Sequence, residues 1–182
     1  MRTVELFIAA SVDGFIADAS GGVGWLEGQG EETVENDSYS RFIQNVDTVV
    51  MGYQTYRQIV TELSPGAWVY HGLTTYVVTH RTLPNVEEEK IFFTPQSPCD
   101  LIRSLRQEPG KTVWVCGGAS IVQQLVRADL IDRYYLTVIP TLLGSGIRLF
   151  ENGGAEKKLR LVETRQCDGM LDILYERRKA GR

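Results

Sequence analysis

Short apolar runs, rich in β-branched residues, recur along the chain between polar and glycine-rich segments. Runs of this length with such boundaries are typical of strands buried in a sheet. Strands are predicted at residues 4–10, 46–51, 75–79, 90–94, 112–116 and 133–139. Segments whose apolar residues share one helical face predict helices at residues 38–45, 53–61, 100–106 and 119–127.

The C-terminal part of the chain shows a different pattern. Two apolar runs, residues 159–166 and 170–177, flank Asp168-Gly169, a dipeptide typical of two-residue hairpin turns. Strands that alternate with helices and then give way to a hairpin predict an α/β fold. We expect a mostly parallel, twisted sheet flanked by helices, with an antiparallel C-terminal hairpin.

Length and composition fit one globular domain that spans residues 1–182. The 182 residues are 43% hydrophobic and 23% charged, which is enough apolar content to bury a core without a metal or disulfide. The sequence contains no internal repeat and no linker-like segment. Residues 18–32 are rich in glycine and predict a long loop, and loops of that length in a compact domain are usually functional.

Charge and cysteine content narrow the class of protein. Lys plus Arg number 19 against 23 Asp plus Glu, a net charge of −4, so a basic face that binds nucleic acid is not expected. Glu5 interrupts the N-terminal apolar run, which is too short to span a bilayer. Three cysteines without a C-x-x-C pair are typical of reduced thiols. We therefore expect a cytoplasmic protein with neither a nucleic-acid nor a membrane partner.

Motifs of several common enzyme classes are absent from the sequence. No G-x-G-x-x-G follows a predicted strand, and the segment 110–112 (Gly-Lys-Thr) lacks the first glycine of a P-loop. The two histidines, His71 and His80, belong to no metal-ligand pattern, so no metal site is expected. The nucleophile motif of serine hydrolases and the motif of zinc deaminases do not occur either.

Glycines follow three of the predicted strands, at Gly14, Gly52 and residues 117–118. Ligands of open α/β sheets bind beyond the carboxyl ends of the strands, where glycine lets them approach the backbone. The second and third of these glycine sites precede predicted helices, whose free N–H groups can bind phosphate. Each glycine could instead simply make a turn. Three of them, together with the polar residues 79–81 after another strand, favour nucleotide binding.

Four segments resemble dihydrofolate reductase in order and spacing: residues 9–17, 48–56, 76–81 and 113–121. The form Ser-x-Asp-Gly-x-Ile-Ala in the first segment, together with residues 140–150, is more similar to the reductase domain of the riboflavin-biosynthesis deaminase-reductase. The resemblance covers most of the chain. It implies a dihydrofolate reductase-like fold, NADPH as the cofactor, a small-molecule substrate and a homodimer.

The resemblance also implies where the cofactor binds. Residues around the nicotinamide would be Ala9, Ile16 and Ala17. Residues around the pyrophosphate would be Gly52, Thr55, Gly117, Gly118, Ala119, Ser120 and Ile121, with a cis peptide between the adjacent glycines. The adenosine ribose and its 2′-phosphate would meet Thr79, His80 and Arg81. Arginine can bind a phosphate through two hydrogen bonds, which favours NADPH over NADH.

Three polar residues are candidates for catalysis on the substrate side: Asp37, Asp13 and Thr137. Asp37 is the nearest match to the acid with which dihydrofolate reductases hold the pterin ring, and it could equally cap the helix that follows. Asp13 could be an acid of the site or could stabilise the turn at Gly14. Thr137 matches a family threonine of the substrate-side polar network.

These patterns favour an NADPH-dependent reductase similar to 5-amino-6-(5-phosphoribosylamino)uracil reductase. A dihydrofolate reductase is one alternative, and it requires Asp37. A non-catalytic nucleotide-binding protein with the same fold is another, favoured by Tyr53 and Val122, which depart from residues common in the family. A flavin or nucleotide-sugar binder would use the same strand ends.

Overall fold

The computed structural model describes residues 1–30 and 37–178. The strands within these ranges are β1 (Val4–Ser11), β2 (Phe15–Ala17), β3 (Val46–Gly52), β4 (Thr74–Val78), β5 (Ile91–Thr94), β6 (Thr112–Gly117), β7 (Arg133–Ile139), β8 (Ile147–Arg148), β9 (Leu159–Cys167) and β10 (Met170–Arg177). The helices are α1 (Ser38–Ile43), α2 (Tyr53–Gln58), α3 (Pro98–Gln107) and α4 (Ala119–Arg127). A π-helical turn, Ile59–Leu63, extends α2, and a 3₁₀ turn, Glu87–Glu89, precedes β5.

Eight of the strands form one sheet in the order β5-β4-β3-β6-β1-β7-β10-β9. Neighbours from β5 to β7 are parallel, whereas β10 runs antiparallel to both β7 and β9. The sheet confirms the expected mostly parallel α/β fold with an antiparallel C-terminal hairpin. Strand β1 lies between β6 and β7, so its carboxyl end is at the middle of the sheet.

Two apolar cores cover the two faces of the sheet, because successive side chains of a strand point to opposite faces. On one face, Leu105 of α3 and Leu125 of α4 pack in the core that contains Leu6. On the other face, Phe42 of α1 and Trp114 of β6 belong to a second core. Helices therefore flank the sheet on both sides, as predicted.

The hairpin between β9 and β10 has the turn that its sequence predicts. Asp168 and Gly169 have φ angles of 49° and 71°. Positive φ at both central residues is the requirement of a type I′ turn, whose twist matches that of the paired strands. The turn also holds the preceding loop, because the Asp168 carbonyl accepts a hydrogen bond from the Gln29 backbone N–H at 3.0 Å.

Some elements differ from the sequence prediction. The pairing of β2 with β8 is not predicted, since strands of three and two residues are too short to show a pattern. Helix α3 begins earlier than expected because Ser97 caps it and Pro98 fits its first turn. The glycine-rich segment has no helix or strand up to residue 30, and residues 31 and 32 lie outside the described ranges.

Two further expectations concern the whole chain. Within the described ranges, no helix combines the length and the apolar character needed to cross a membrane. The thiols of Cys99, Cys116 and Cys167 are all free. Reduced thiols are what three cysteines without a C-x-x-C pair predict.

Candidate active site

The starts of α2 and α4 meet at the carboxyl ends of β3 and β6. Gly52 and Gly118 are the residues before the two helices, and within the described residues neither start has a hydrogen bond from a capping side chain. A Cβ atom added to Gly52 would lie 3.4 Å from Cγ1 of Ile121 and 3.8 Å from the Gly118 nitrogen. The peptide between Gly117 and Gly118 is cis, as the resemblance implies.

Thr55 completes this group, which we call the glycine cradle (Gly52, Thr55 and residues 117–121). Its Oγ1 atom would lie 3.2 Å from a Cβ on Gly118 and 3.8 Å from a Cβ on Gly117. A larger residue at Gly118 would therefore fill the space between the backbone and the hydroxyl. Ser120 is exposed in the first turn of α4, whose N–H groups carry the positive end of the helix dipole. The structure thus brings together the seven residues expected around a pyrophosphate.

Arg81 reaches the start of α2 through an aromatic contact. Its guanidinium carbon lies 4.8 Å from the centre of the Tyr53 ring. The backbone N–H of Arg81 donates to Oγ1 of Thr79 at 3.1 Å, which fixes the bend after β4. His80 is exposed between them. Tyr53 occupies the position where the family often has arginine, and here it supports an arginine from a neighbouring strand end.

The residues expected around the nicotinamide lie at the end of β1 and on β2. Ala9 is partly exposed and pairs in register with Thr137 of β7. Ile16 packs against the first core, and Ala17 is buried and pairs with Ile147 of β8. Cδ1 of Ile8 would lie 3.8 Å from a Cβ on Gly117, so the end of β1 borders the glycine cradle.

Asp13 is held by three hydrogen bonds at the turn after β1. Its carboxylate accepts from Oγ of Ser11 at 2.6 Å, from the Leu143 N–H at 3.1 Å and from the Gly144 N–H at 2.7 Å. These bonds favour the ionised form and lower the pKa of Asp13 to about 2, the Ser11 hydroxyl having the largest effect. This geometry agrees with the turn-stabilising interpretation of Asp13.

Asp37 lies at the start of α1, where its side chain is 59% exposed. Its carboxylate accepts a hydrogen bond from Nη1 of Arg165 at 3.2 Å and makes no capping bond to α1 within the described residues. Thr137 is another of the three catalytic candidates, and its hydrogen-bond partner is a carboxylate other than Asp37. The hydroxyl of Thr137 donates to Oδ1 of Asp172 on β10 at 2.5 Å.

Asp172 is only 4% exposed, and its other oxygen, Oδ2, accepts from Oγ of Ser38 on α1 at 2.6 Å. Because Ala9 pairs with Thr137 and Thr137 pairs with Asp172, the three residues form one row across β1, β7 and β10. We call this row, together with Ser38, the carboxylate row. Adjacent strands lie about 4.8 Å apart, so Thr137 is a direct neighbour of the expected nicotinamide wall.

An aromatic surface borders the carboxylate row on the same face of the sheet. Phe7 stacks on Phe42 and on Tyr135, with ring centres 4.4 and 4.6 Å apart. Burial is the main cause that raises the pKa of Tyr135; a side-chain hydrogen bond with Ser38 lowers it, and the nearby Asp172 carboxylate raises it. Burial likewise raises the pKa of the Cys116 thiol to about 11, so this thiol stays protonated at neutral pH. The surface beside the row is therefore largely aromatic, and burial keeps the Tyr135 hydroxyl and the Cys116 thiol protonated at neutral pH.

A comparison with known protein families decides the identity of this arrangement. The model of the RibD C-terminal domain matches residues 2–171. The chain belongs to this family. The chain therefore has the dihydrofolate reductase-like fold. By its family it is a riboflavin-biosynthesis reductase-like protein.

Two curated relatives of this RibD C-terminal domain come from Bacillus subtilis (strain 168), and both are described as uncharacterized. YwjB is 37% identical over 179 residues, which cover 97% of this chain and 98% of YwjB. YyaP is 27% identical over 185 residues, which cover 96% of this chain and 94% of YyaP. The two relatives therefore match at least 96% of this chain.

Solved structures have the same fold. A putative riboflavin biosynthesis protein from Shewanella sp. PV-4 has a TM-score of 0.84 and 25% identity, with 98% of this chain and 100% of that chain covered. A deaminase and 5-amino-6-(5-phosphoribosylamino)uracil reductase from Thermotoga maritima has a TM-score of 0.70 and 15% identity. That match covers 97% of this chain but 56% of the longer Thermotoga chain.

Asp172 is a residue of the candidate site that sequence reasoning missed. A signal is present, because this charged residue stands between Leu171 and Ile173 in an otherwise apolar run. An alternating strand normally places such a residue on its solvent side. Here the carboxylate is instead buried, between Thr137 of β7 and Ser38 of α1, which are both distant from it in sequence.

Proposed function

We propose that this RibD C-terminal domain is an NADPH-dependent reductase similar to 5-amino-6-(5-phosphoribosylamino)uracil reductase. It would transfer hydride to a small heterocyclic, ribose-linked substrate. The observation that supports this best is the position of the glycine cradle beside the carboxylate row: a dinucleotide site and a polar substrate site share one edge of the sheet. Ligands of open α/β sheets bind at such an edge.

The glycine cradle fits the pyrophosphate of a dinucleotide. Gly118 leaves space in front of the backbone that a Cβ would fill, and the first turn of α4 offers N–H groups to an anion. Thr55 would add a hydroxyl donor. When bound, NADPH supplies the hydride, and the protein orients the two reactants and excludes water. Ala9 and Ile16 would position the nicotinamide against the substrate.

On the substrate side, the aromatic surface and the carboxylate row have separate tasks. The stacked rings of Phe7 and Tyr135 form an apolar wall that excludes water from the reacting atoms. Thr137 offers the polar contact that fixes the orientation of a heterocycle. A few polar groups in a mostly apolar wall are typical of small-molecule sites.

Arg81 is the residue that would select NADPH over NADH. Its guanidinium is oriented by the Tyr53 ring, and a charge-assisted hydrogen bond to a 2′-phosphate is worth about 1.5–3 kcal/mol. Calorimetric titration with both nucleotides tests the proposal. We expect NADPH to bind more tightly, and we expect Arg81→Ala to weaken NADPH roughly 10- to 100-fold while NADH changes little.

The exposed Arg57 on α2 offers a matched control, because Arg57→Ala removes the same charge from the same region. If both variants lose the same affinity for NADPH, the effect of Arg81 is one of net charge and not of a direct contact with the 2′-phosphate. If the wild-type protein binds neither nucleotide, the reductase proposal is refuted and the protein uses this fold for a different function.

Turnover distinguishes the proposed reaction from its alternatives. NADPH oxidation should be faster with 5-amino-6-(5-phosphoribosylamino)uracil than with dihydrofolate. Turnover of dihydrofolate that Asp37→Asn abolishes would instead assign a dihydrofolate reductase. Cofactor binding without reduction of either compound would assign a non-catalytic nucleotide-binding protein.

We also propose that the chain acts as one domain, as a homodimer and in the cytoplasm. Strand β9 is an edge of the sheet and exposes Leu161 and Val162, which a second copy would cover. Three free thiols suit a reducing compartment. Light scattering after size exclusion tests the dimer: a monomer at micromolar concentration contradicts it. Cell fractionation tests the location.

A further inference from the structure

Asp172 controls which groups of the carboxylate row can donate hydrogen bonds. Both of its oxygens accept from hydroxyls: Oδ1 from Thr137 at 2.5 Å and Oδ2 from Ser38 at 2.6 Å. A hydroxyl has one proton to donate. Since that proton points at Asp172, Thr137 can only accept a hydrogen bond from any other group.

Among the polar residues of the carboxylate row, Thr137 is the one that a ligand can reach. It is partly exposed and lies next to the partly exposed Ala9, whereas Asp172 and Ser38 are buried. A ligand at the end of β1 would therefore meet the lone pairs of the Thr137 oxygen. The negative charge behind the hydroxyl strengthens it as an acceptor, because hydrogen bonds in a chain polarise one another.

We propose that Asp172 is a positioning residue that makes Thr137 a fixed acceptor and thereby selects a substrate whose ring presents an N–H donor. This inference rests on the proposed function and specifies its substrate. A uracil ring that carries amino substituents has such donors, both on the ring and on its exocyclic nitrogens. A heterocycle with only acceptors on that edge would meet an acceptor and lose the contact.

The location of Asp172 separates this role from that of Asp37. Asp37 is exposed and bonds to Arg165 at the N-terminal end of α1. Asp172 lies in the same strand register as Ala9 and Thr137. Tyr135, the next residue of β7 on this face, has a pKa that Asp172 helps to raise, so the carboxylate also acts on the aromatic wall.

The test is steady-state kinetics with NADPH and 5-amino-6-(5-phosphoribosylamino)uracil, combined with calorimetry of both compounds. Asp172→Asn keeps the shape of the side chain but removes its charge, and its amide cannot accept from both hydroxyls. We expect the KM of the uracil substrate and its calorimetric Kd to rise roughly tenfold. The Kd of NADPH should stay within about twofold, since the glycine cradle is unchanged.

A double-mutant cycle shows whether Asp172 acts through Thr137. Thr137→Val should raise KM by a similar factor, Thr137→Ser should restore most of the affinity, and Asp172→Asn should add little in the Thr137→Val background. If Asp172 has a purely structural role, Asp172→Asn will lower stability, leave KM unchanged and show no coupling to Thr137. That result would overturn the inference. If Asp172→Asn does not fold, an unchanged KM in Thr137→Val would still overturn the inference, because the proposed contact is made by this hydroxyl.

Asp100→Asn is a matched control, because Asp100 is an exposed carboxylate in the first turn of α3 that bonds to Ser97 and Arg103. It should leave the KM of the substrate unchanged. The two proposals fail differently. A wild-type protein that neither binds NADPH nor reduces the uracil substrate refutes the proposed function and the inference with it. An active protein whose KM ignores Asp172 and Thr137 refutes the inference alone.

Discussion

Asp13 shows how one carboxylate can join two loops. It accepts from Ser11 in its own turn and from the backbone of Leu143 and Gly144, which lie far away in sequence. The loop after β7 is thereby held against the turn after β1, where the expected nicotinamide wall begins. All three hydrogen bonds are donated to the carboxylate, so they favour its ionised form. The pKa of Asp13 therefore falls to about 2.

Asp13→Asn should therefore lower stability in a pH-dependent way. The pKa of Asp13 in the folded protein is below its unfolded value of about 3.9, so its stabilising effect is complete above that value and fades as pH falls toward 2. Thermal melts followed by circular dichroism at pH 7 and at pH 3 measure this. The difference in Tm between variant and wild type should be larger at pH 7. An equal difference at both pH values would contradict the assignment.

The residues of the glycine cradle could be located from sequence, whereas the buried carboxylate of the carboxylate row could not. Gly52 and Gly117 stand at strand ends where the local pattern changes from strand to helix, so local sequence is sufficient to locate them. Asp172 depends on which strand lies beside it. Its contact with Thr137 joins residues of β7 and β10, and no local pattern specifies that register.

At the scale of elements, α4 joins the glycine cradle to the core. Its first residues face the cradle, while Val122 and Leu125 are completely buried against the sheet. Arg127, near its C-terminal end, is exposed and pairs with Glu151. The period of the apolar positions identifies this helix from sequence, and its predicted bounds agree with the structure. The position of the glycine cradle at its start therefore depends on the packing of its buried face.

Leu125→Ala should destabilise the protein by about 2–5 kcal/mol, because it leaves a cavity between α4 and the sheet. Arg127→Ala, on the exposed face of the same helix, should cost at most about 1 kcal/mol, the usual value of a surface ion pair. Urea denaturation gives both free energies of unfolding. Similar losses for the two variants would show that α4 is not held by its apolar face.

At the scale of the whole molecule, Asp132 ties distant segments together at the edge opposite the site. Its carboxylate accepts from the Val4 N–H at 2.9 Å, from Arg106 at 2.7 Å and from Arg177 at 3.3 Å. The starts of β1 and β7, the end of α3 and the end of β10 thus share one charged residue. The fold class follows from local patterns, but this junction does not, because the partners of Asp132 come from three separate elements.

Asp132→Ala should lower the free energy of unfolding by about 2–3 kcal/mol, since it removes hydrogen bonds to charged and partly buried groups. The side chain of Arg106 is only 11% exposed and would lose its charged partner. Arg160→Ala is the control: this exposed pair with Glu176 should contribute at most about 1 kcal/mol. Urea titrations at low and high salt measure both, and salt should weaken only the effect at Arg160.

The position of Asp172 on β10 has a consequence for the order in which the protein is made. Translation produces the glycine cradle and Thr137 before it produces β10, which begins at Met170. A nascent chain on the ribosome can therefore complete the central parallel strands, in which Val4 pairs with Val113, while the carboxylate is still missing. Such non-local pairing is slow, but all of its residues leave the ribosome before those of β10 do. Under the proposed function, substrate recognition would be the last property that the growing chain acquires, and a message truncated before Met170 would encode the glycine cradle without the carboxylate of Asp172.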